Sequence, residues 1–222
     1  MKKINMKPLA KKKTTKEIVY DELKKAILNG SIDNQKLLTE TMLSEILGTS
    51  RTPIREAVAD LTKEGLLVHV PRKGFHVREI TENEKNQIIY LRISVETEGI
   101  RQLAGKVTKE QVQKLKEIVS EQERVIKNDD RVKYVELDQD FHRQIMKYSD
   151  QNLLDQILQE MYNLTRLIGH NALMKEGRMV EVIKEHTEII HALENNNGYE
   201  AADLLKKHLE ITKANVKLEK DE

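Results

Sequence analysis

The chain has 222 residues, and its 38 Lys and Arg nearly balance its 37 Asp and Glu; that length suits one large domain or two small ones. Cysteine is absent, which excludes disulfides, thiolate zinc sites and a cysteine nucleophile. No apolar run approaches the roughly 18 residues of a membrane span, and the lysine-rich start lacks a signal-peptide apolar region, so a cytoplasmic protein away from membranes is expected.

In chain order, Met1 to Lys13 carry six lysines and no acid. This stretch reads either as a solvated tail, a flexible unit over 1–13, or as a basic arm that adds phosphate contacts. Thr14-x-x-Glu17 is a capping box. Ile18, Val19, Leu23, Ile27 and Leu28 follow at helical spacing, and Gly30 ends that helix. Thr39 or Glu40 opens a shorter helix with Met42, Leu43, Ile46 and Leu47 on one face, stopped by Gly48. Only Thr49 and Ser50 precede a third helix, from Arg51 to Glu64. Pro53 is tolerated in its first turn, where no intrahelical N–H bond is lost. The period then changes from 3.6 to 2. Leu66, Val68 and Val70 alternate along one run, and Phe75, Val77 and residues 78–80 continue in a second. Pro71-Arg72-Lys73-Gly74 forms the turn between them. Beyond Thr81 the sequence predicts helices over 82–104, 109–127, 130–148, 151–173, 179–195 and 199–219. Two more capping boxes, Thr81-x-x-Glu84 and Thr108-x-x-Gln111, open the first two of these.

The near-zero net charge hides an asymmetry. Residues 1–80 hold 16 basic against 10 acidic side chains, and the remainder holds 22 against 27. A basic domain over 14–80, attracted to a polyanion, joined to an acidic one over 81–222 is the expected organisation.

Two short helices around a glycine turn, followed by a hairpin with a basic tip, describe a winged helix-turn-helix. The first turn of its recognition helix carries Ser50, Arg51, Thr52 and Arg55. Arginines at i and i+4 project from one face, and a guanidinium can bond guanine O6 and N7 together. The hydroxyls and the helix N-terminal N–H groups suit phosphate oxygens. Arg72, Lys73 and Gly74 would lie over the flanking backbone or minor groove.

The stretch Leu47-Gly48-Thr49-Ser50-Arg51-Thr52-Pro53-Ile54-Arg55-Glu56-Ala57, with Leu61 and Glu64-Gly65-Leu66 after it, resembles the GntR family of bacterial transcription regulators over residues 14–80. The resemblance implies operator binding through Ser50, Arg51, Thr52, Arg55 and the wing around Lys73-Gly74. Two positions depart from the family pattern. Thr41 stands where many relatives carry an arginine, and Thr49 stands where valine is usual in the turn.

The C-terminal part holds five of the seven histidines. Asp138 and His142 are i, i+4 on one predicted helix and could share an ion. His186 and His208 sit on later helices, and spacing alone does not bring them to that pair. A di-metal bundle needs two Glu-x-x-His helices, and only Glu188-x-x-His191 fits. The zincin motif HExxH is absent. Residues 83 to about 215 resemble the all-helical FCD ligand-binding domain of the FadR subfamily. The matching pieces are Leu91-Arg92-x-x-x-Glu96, Leu137-Asp138-x-x-Phe141-His142, Asn152-x-Leu154, Glu185-His186-x-x-Ile189 and Ala201-Ala202 leading to His208-Leu209. The resemblance implies a divalent metal, zinc or nickel, held by Asp138, His142, His186 and His208. His170 and His191 fall outside that set. Arg92 and Arg166 are candidate counter-charges for an anionic effector, or else ordinary helix-surface or core-edge arginines.

The expected fold is therefore mainly α, with a winged helix-turn-helix and an all-α bundle. The expected function is a non-enzymatic, homodimeric DNA-binding repressor. It would sit on a near-palindromic double-stranded operator and be controlled by a small carboxylate bound at the metal. A repressor that senses the ion itself is the main alternative. A metallohydrolase bundle is a remote one, since no motif supplies a general base.

Overall fold

The computed structural model describes residues 13–128, 130–172 and 177–215, with backbone alone at 132, 159–160 and 169–172. Apart from Lys13, the basic tail lies outside the described residues, as do the side chain of His170 and the end of the helix expected over 199–219.

The described elements are α1 (Thr15–Leu28), α2 (Glu40–Ile46), α3 (Arg51–Lys63), β1 (Leu67–Val70), β2 (Gly74–Val77), α4 (Glu82–Leu103), α5 (Lys109–Ile126), α6 (Arg131–Tyr148), α7 (Asn152–Ala172), α8 (Arg178–Glu194) and α9 (Gly198–Asn215). The local signals act as expected. Thr14, Thr81 and Thr108 each accept the backbone N–H of the third helical residue, and Glu17, Glu84 and Gln111 reach back to the cap N–H. Each box satisfies two amides that a helix start leaves without partners. Thr39 caps α2 by accepting the N–H of Met42.

Helices α1, α2 and α3 enclose one core, in which Ile54, Ala57, Val58 and Leu61 of α3 are fully buried beside Val19, Leu23 and Ile27 of α1. Two residues expected on apolar faces, Ile18 and Ile46, are instead exposed. β1 and β2 form an antiparallel hairpin in which Leu67 opposes Val77 and Val70 opposes Gly74. The alternation read along Leu66, Val68 and Val70 does not describe this strand. Leu66 and Leu67 are both buried and Val68 is exposed. Leu66 belongs to the turn closing α3, where its N–H bonds the Leu61 carbonyl, so the strand starts one residue later, and burial along it does not alternate. Only the base of the hairpin rests on the core, and its tip extends beyond it.

A third stretch of chain braces the wing. Leu38 and Phe75 exchange backbone hydrogen bonds, 2.7 and 2.8 Å long. Gly74 has φ 128, and a β-carbon there would lie well inside contact with the Leu38 carbonyl oxygen. Gly105 also has positive φ, but open space surrounds it. Gly74→Ala should therefore cost more than the ~1–3 kcal/mol of backbone strain alone, and Gly105→Ala no more than that strain. Denaturation followed by a probe in the wing checks this. Equal costs would mean that the wing moves freely away from Leu38.

The remaining helices form a second core that includes Ile100, Leu115, Tyr134, Phe141, Ile189, Leu193 and Leu205. α4 packs against α6, α7 and α9, α5 against α6 and α8, and α8 against α9. Gly99 lets α4 approach α6 closely, because a β-carbon there would meet Met146 Sδ at 2.5 Å.

α7 also touches the N-terminal domain. Asn163 Nδ2 donates to Glu64 Oε2 at 2.9 Å, and Glu64 is the C-cap of α3. Tyr20 Oη and Lys24 Nζ donate to the same carboxylate. Leu167 packs on the N-terminal core, and Leu164 and Ile168 cluster with Ile80 and Ile88 at the junction. Among the described residues no helix is long and apolar enough to cross a membrane.

Candidate functional site

The N-terminal surface begins at Ser50, the N-cap of α3, whose side chain makes no capping hydrogen bond. Its hydroxyl, with the first amides of α3, therefore remains available to an acceptor such as a phosphate oxygen. Thr52 is exposed. Arg51 Nη2 and Arg55 Nε both reach Glu40, at 3.0 and 3.3 Å. Both guanidiniums thus stand on one side of α3, as i, i+4 spacing requires, held by a carboxylate at the start of α2. They hold Glu40 below the usual carboxylate range, despite an opposing push from burial. Most of each arginine side chain remains in solvent.

At the wing tip, Lys73 N–H bonds the Val70 carbonyl at 3.0 Å and closes a four-residue turn. Arg72 occupies it with φ 64, the positive value that a type II turn needs at its third position. Arg72 and Lys73 are both exposed.

The second constellation is buried. Asp138 and His142 of α6, His186 of α8 and His208 of α9 each offer a donor atom within 4.8 Å of the others. His142 Nε2 and His208 Nε2 lie 3.2 Å apart. His186 Nε2 is 3.6 Å from Asp138 Oδ1, and this buried nitrogen has no hydrogen-bond partner. Phe141 stacks on the His186 ring at 3.9 Å and limits its rotation.

The outward nitrogens explain why the Nε2 atoms face inward. His142 Nδ1–H donates to Glu96 Oε2 at 2.6 Å, and His208 Nδ1–H to Glu185 Oε2 at 2.6 Å. His186 Nδ1–H donates to Gln122 Oε1 at 3.0 Å. Each bond assigns the proton to Nδ1 and leaves an Nε2 lone pair pointing inward. Burial pushes His186 well below the usual imidazole range and also lowers His208. Both are therefore neutral at pH 7, the form that ligates metals. Burial alone would raise Glu96, but Arg92 and His142 hold it down at about 2. Glu185 is likewise lowered against burial by its bonds to His208 and Arg178.

Arg92, a candidate counter-charge, bonds Glu96 at 2.6 Å and is buried. Arg166, the other candidate, bonds Glu136 at 3.0 Å. His191 is exposed on α8. Sequence reasoning did not assign Glu96, Gln122, Glu185 or Arg178 to the site. One signal was present in the i, i+4 spacing of Arg92 and Glu96. Glu185 gave a misleading one, since it adjoins His186 in sequence but serves His208 on another helix.

Comparison with known proteins agrees with this division. Residues 15–77 match the bacterial regulatory proteins, gntR family, and residues 87–211 match the FCD domain. The chain is 28% identical over 179 residues to the HTH-type transcriptional regulator YdhC of Bacillus subtilis, covering 80% of each. It is 22% identical over 199 residues to the HTH-type transcriptional repressor RspR of Escherichia coli, covering 90% of this chain and 87% of that one. Its fold is similar to that of a GntR transcriptional regulator from Rhodococcus sp. RHA1, with TM-score 0.75, 24% identity, and coverage of 90% of this chain and 96% of that one. Escherichia coli McbR/YncC shares it with TM-score 0.74, 19% identity, and coverage of 90% and 95%. With the FCD match spanning more than half of the chain and the gntR match covering its winged domain, the chain belongs to the GntR family of bacterial regulatory proteins with an FCD domain, and is a DNA-binding transcriptional regulator, not an enzyme.

Proposed function

We propose that the chain is a homodimeric repressor whose grip on a near-palindromic operator is set by a small carboxylate, bound where the helical domain holds a divalent ion. The convergence of Asp138, His142, His186 and His208 within 4.8 Å carries this reading. One carboxylate and three imidazoles, the imidazoles each fixed by an outer hydrogen bond, suit Zn²⁺ or Ni²⁺. The partnerless Nε2 of His186 is a buried acceptor that such an ion would satisfy. When bound, the ion would supply Lewis-acid positions for a carboxylate oxygen.

On the DNA side, Arg51 and Arg55 would read base edges, Ser50 and Thr52 would take phosphates, and Arg72 and Lys73, presented by the Gly74 turn, would lie along the flanking backbone. A two-fold dimer would match two half-sites. Tyr90 on α4 and Leu153 on α7 are large side chains left exposed by the bundle, surface that a second copy would cover.

α7 offers the connection between the two sites. Gln139, next to Asp138, donates to the Tyr162 carbonyl, and the next residue, Asn163, holds Glu64 at the end of α3. A coupling of about 1–3 kcal/mol through this contact would change operator affinity by about 5–150-fold.

The test uses the intact protein and an operator selected from a random duplex pool. After chelator treatment and reloading with Zn²⁺, elemental analysis should find one ion per chain, and a carboxylic acid effector should weaken operator binding only by the loaded form. Zinc that changes operator affinity without any acid would make the ion itself the signal. Retention of no zinc or nickel at all would refute the metal-dependent reading.

A further inference from the structure

Glu40 joins the two arginines of the recognition helix. It opens α2, whose start Thr39 fixes by accepting the Met42 N–H. Its two oxygens are used separately, Oε2 by Arg51 Nη2 and Oε1 by Arg55 Nε. A guanidinium has five N–H donors, so each arginine spends one bond here and keeps the rest of its fork. The Glu40 side chain is 20% exposed, against 60% and 66% for Arg51 and Arg55. The anion is therefore the most deeply set of the three charges, and the two cations stand outside it.

Stability does not account for this arrangement, because ion pairs with such exposed partners contribute little to folding. Overall affinity for DNA does not account for it either. Phosphate contacts supply the non-specific binding, and a carboxylate beside two guanidiniums cancels half of their charge. What Glu40 changes is the choice of acceptor. Guanine offers O6 and N7, which carry no net charge. A phosphate oxygen is anionic, and in reaching these guanidiniums it comes near the Glu40 carboxylate. Like charges brought together across an interface are costly and suppress wrong partners. Burial raises Glu40, but the bonds from Arg51 and Arg55 outweigh it and hold the group below the usual carboxylate range. The carboxylate is thus charged at neutral pH, and the repulsion operates wherever DNA meets this face.

We propose that Glu40 is a specificity-determining residue that acts through Arg51 and Arg55, turning the pair away from phosphates and towards the neutral acceptors of base edges. The inference rests on the base-reading role of those arginines and adds the group that enforces it. Specificity is a difference between two affinities, and here it is gained by weakening the unwanted one.

The experiment measures binding of the intact protein to the selected operator and to random duplex, by fluorescence anisotropy over a range of salt. Glu40→Gln keeps the shape of the side chain and removes its charge. It should bind random duplex several-fold more tightly, with a salt dependence steeper by about one counterion. Its preference for operator should fall about tenfold. Glu40→Asp restores the charge and should recover most of that preference. Glu56→Gln makes the same change of charge at another exposed position of α3 and should leave the preference unchanged. In the Arg51→Ala background, Glu40→Gln should alter the preference much less, since residues that act together are not additive. Arg51→Ala losing the preference while Glu40→Gln keeps it would overturn this inference alone. Arg51→Ala keeping the preference would overturn the base-reading assignment and this inference together. Equal weakening on both duplexes by Glu40→Gln, not recovered by Glu40→Asp, would make Glu40 a structural residue and overturn the inference as well.

Discussion

Replacing Arg51 by alanine should weaken specific operator binding by about 1–3 kcal/mol, while binding to random duplex falls much less. The side chain leaves the first turn of α3, where a recognition helix meets base edges. It stands beside Arg55 on Glu40, with most of the side chain in solvent and open to a base edge. Its fork of donors can take guanine O6 and N7 together, a geometry that an ammonium group does not reproduce. Arg51→Lys is therefore the informative companion. It keeps the charge, and so the salt dependence of binding, but should lose most of the preference for operator over random DNA. Neither change should unfold the domain, because the ion pair with Glu40 lies at the surface, where such pairs contribute little. Fluorescence anisotropy with operator and random duplexes at two salt concentrations reads all of this. Equal loss on both duplexes would reassign Arg51 from base to phosphate.

The second large effect is expected at His186. His186→Ala should lower zinc affinity by at least about a thousandfold, since it removes one of four protein donors from a metal whose structural sites are four-coordinate. This position tests the donor set more cleanly than His142 or His208. Those two histidines bond the carboxylates of Glu96 and Glu185, so their removal would strip partners from buried charged groups and destabilise the fold by several kcal/mol. His186 bonds only the neutral amide of Gln122, and its loss leaves a small cavity and an unpaired amide, worth about 1–3 kcal/mol. Chelation gives a second readout. Wild-type protein should melt at a lower temperature once stripped, because an ion bound only to the folded state stabilises it by mass action. The His186→Ala melting point should be indifferent to chelator. Zinc bound by the variant at wild-type affinity would mean that the donor set is wrong.

Much of the local structure could be read from residues a few positions apart. The capping boxes at Thr14, Thr81 and Thr108 set three helix starts, because their bonds close within three residues. The helix ends at 103, 126 and 194 fall within one residue of expectation for the same reason. The wing was harder. Leu66 has an apolar side chain that suits the inner face of a strand, yet its backbone completes the turn after α3. Side-chain type does not distinguish these two kinds of burial.

The sequence by itself determined two units of opposite charge, a basic recognition helix, and a bundle carrying one carboxylate and three histidines at positions the FCD resemblance singles out. Those properties depend on composition and on contacts within one or two helical turns. Only the tertiary structure decided which groups meet. It brings His142 and His208, 66 residues apart, to 3.2 Å. It turns Glu185 away from its neighbour His186 and onto His208. It also commits Arg92 and Arg166 to glutamates, although both were candidates to receive an effector. The physical reason is that a buried charge takes whichever opposite charge the packing of distant helices delivers, and no spacing along one helix contains that information.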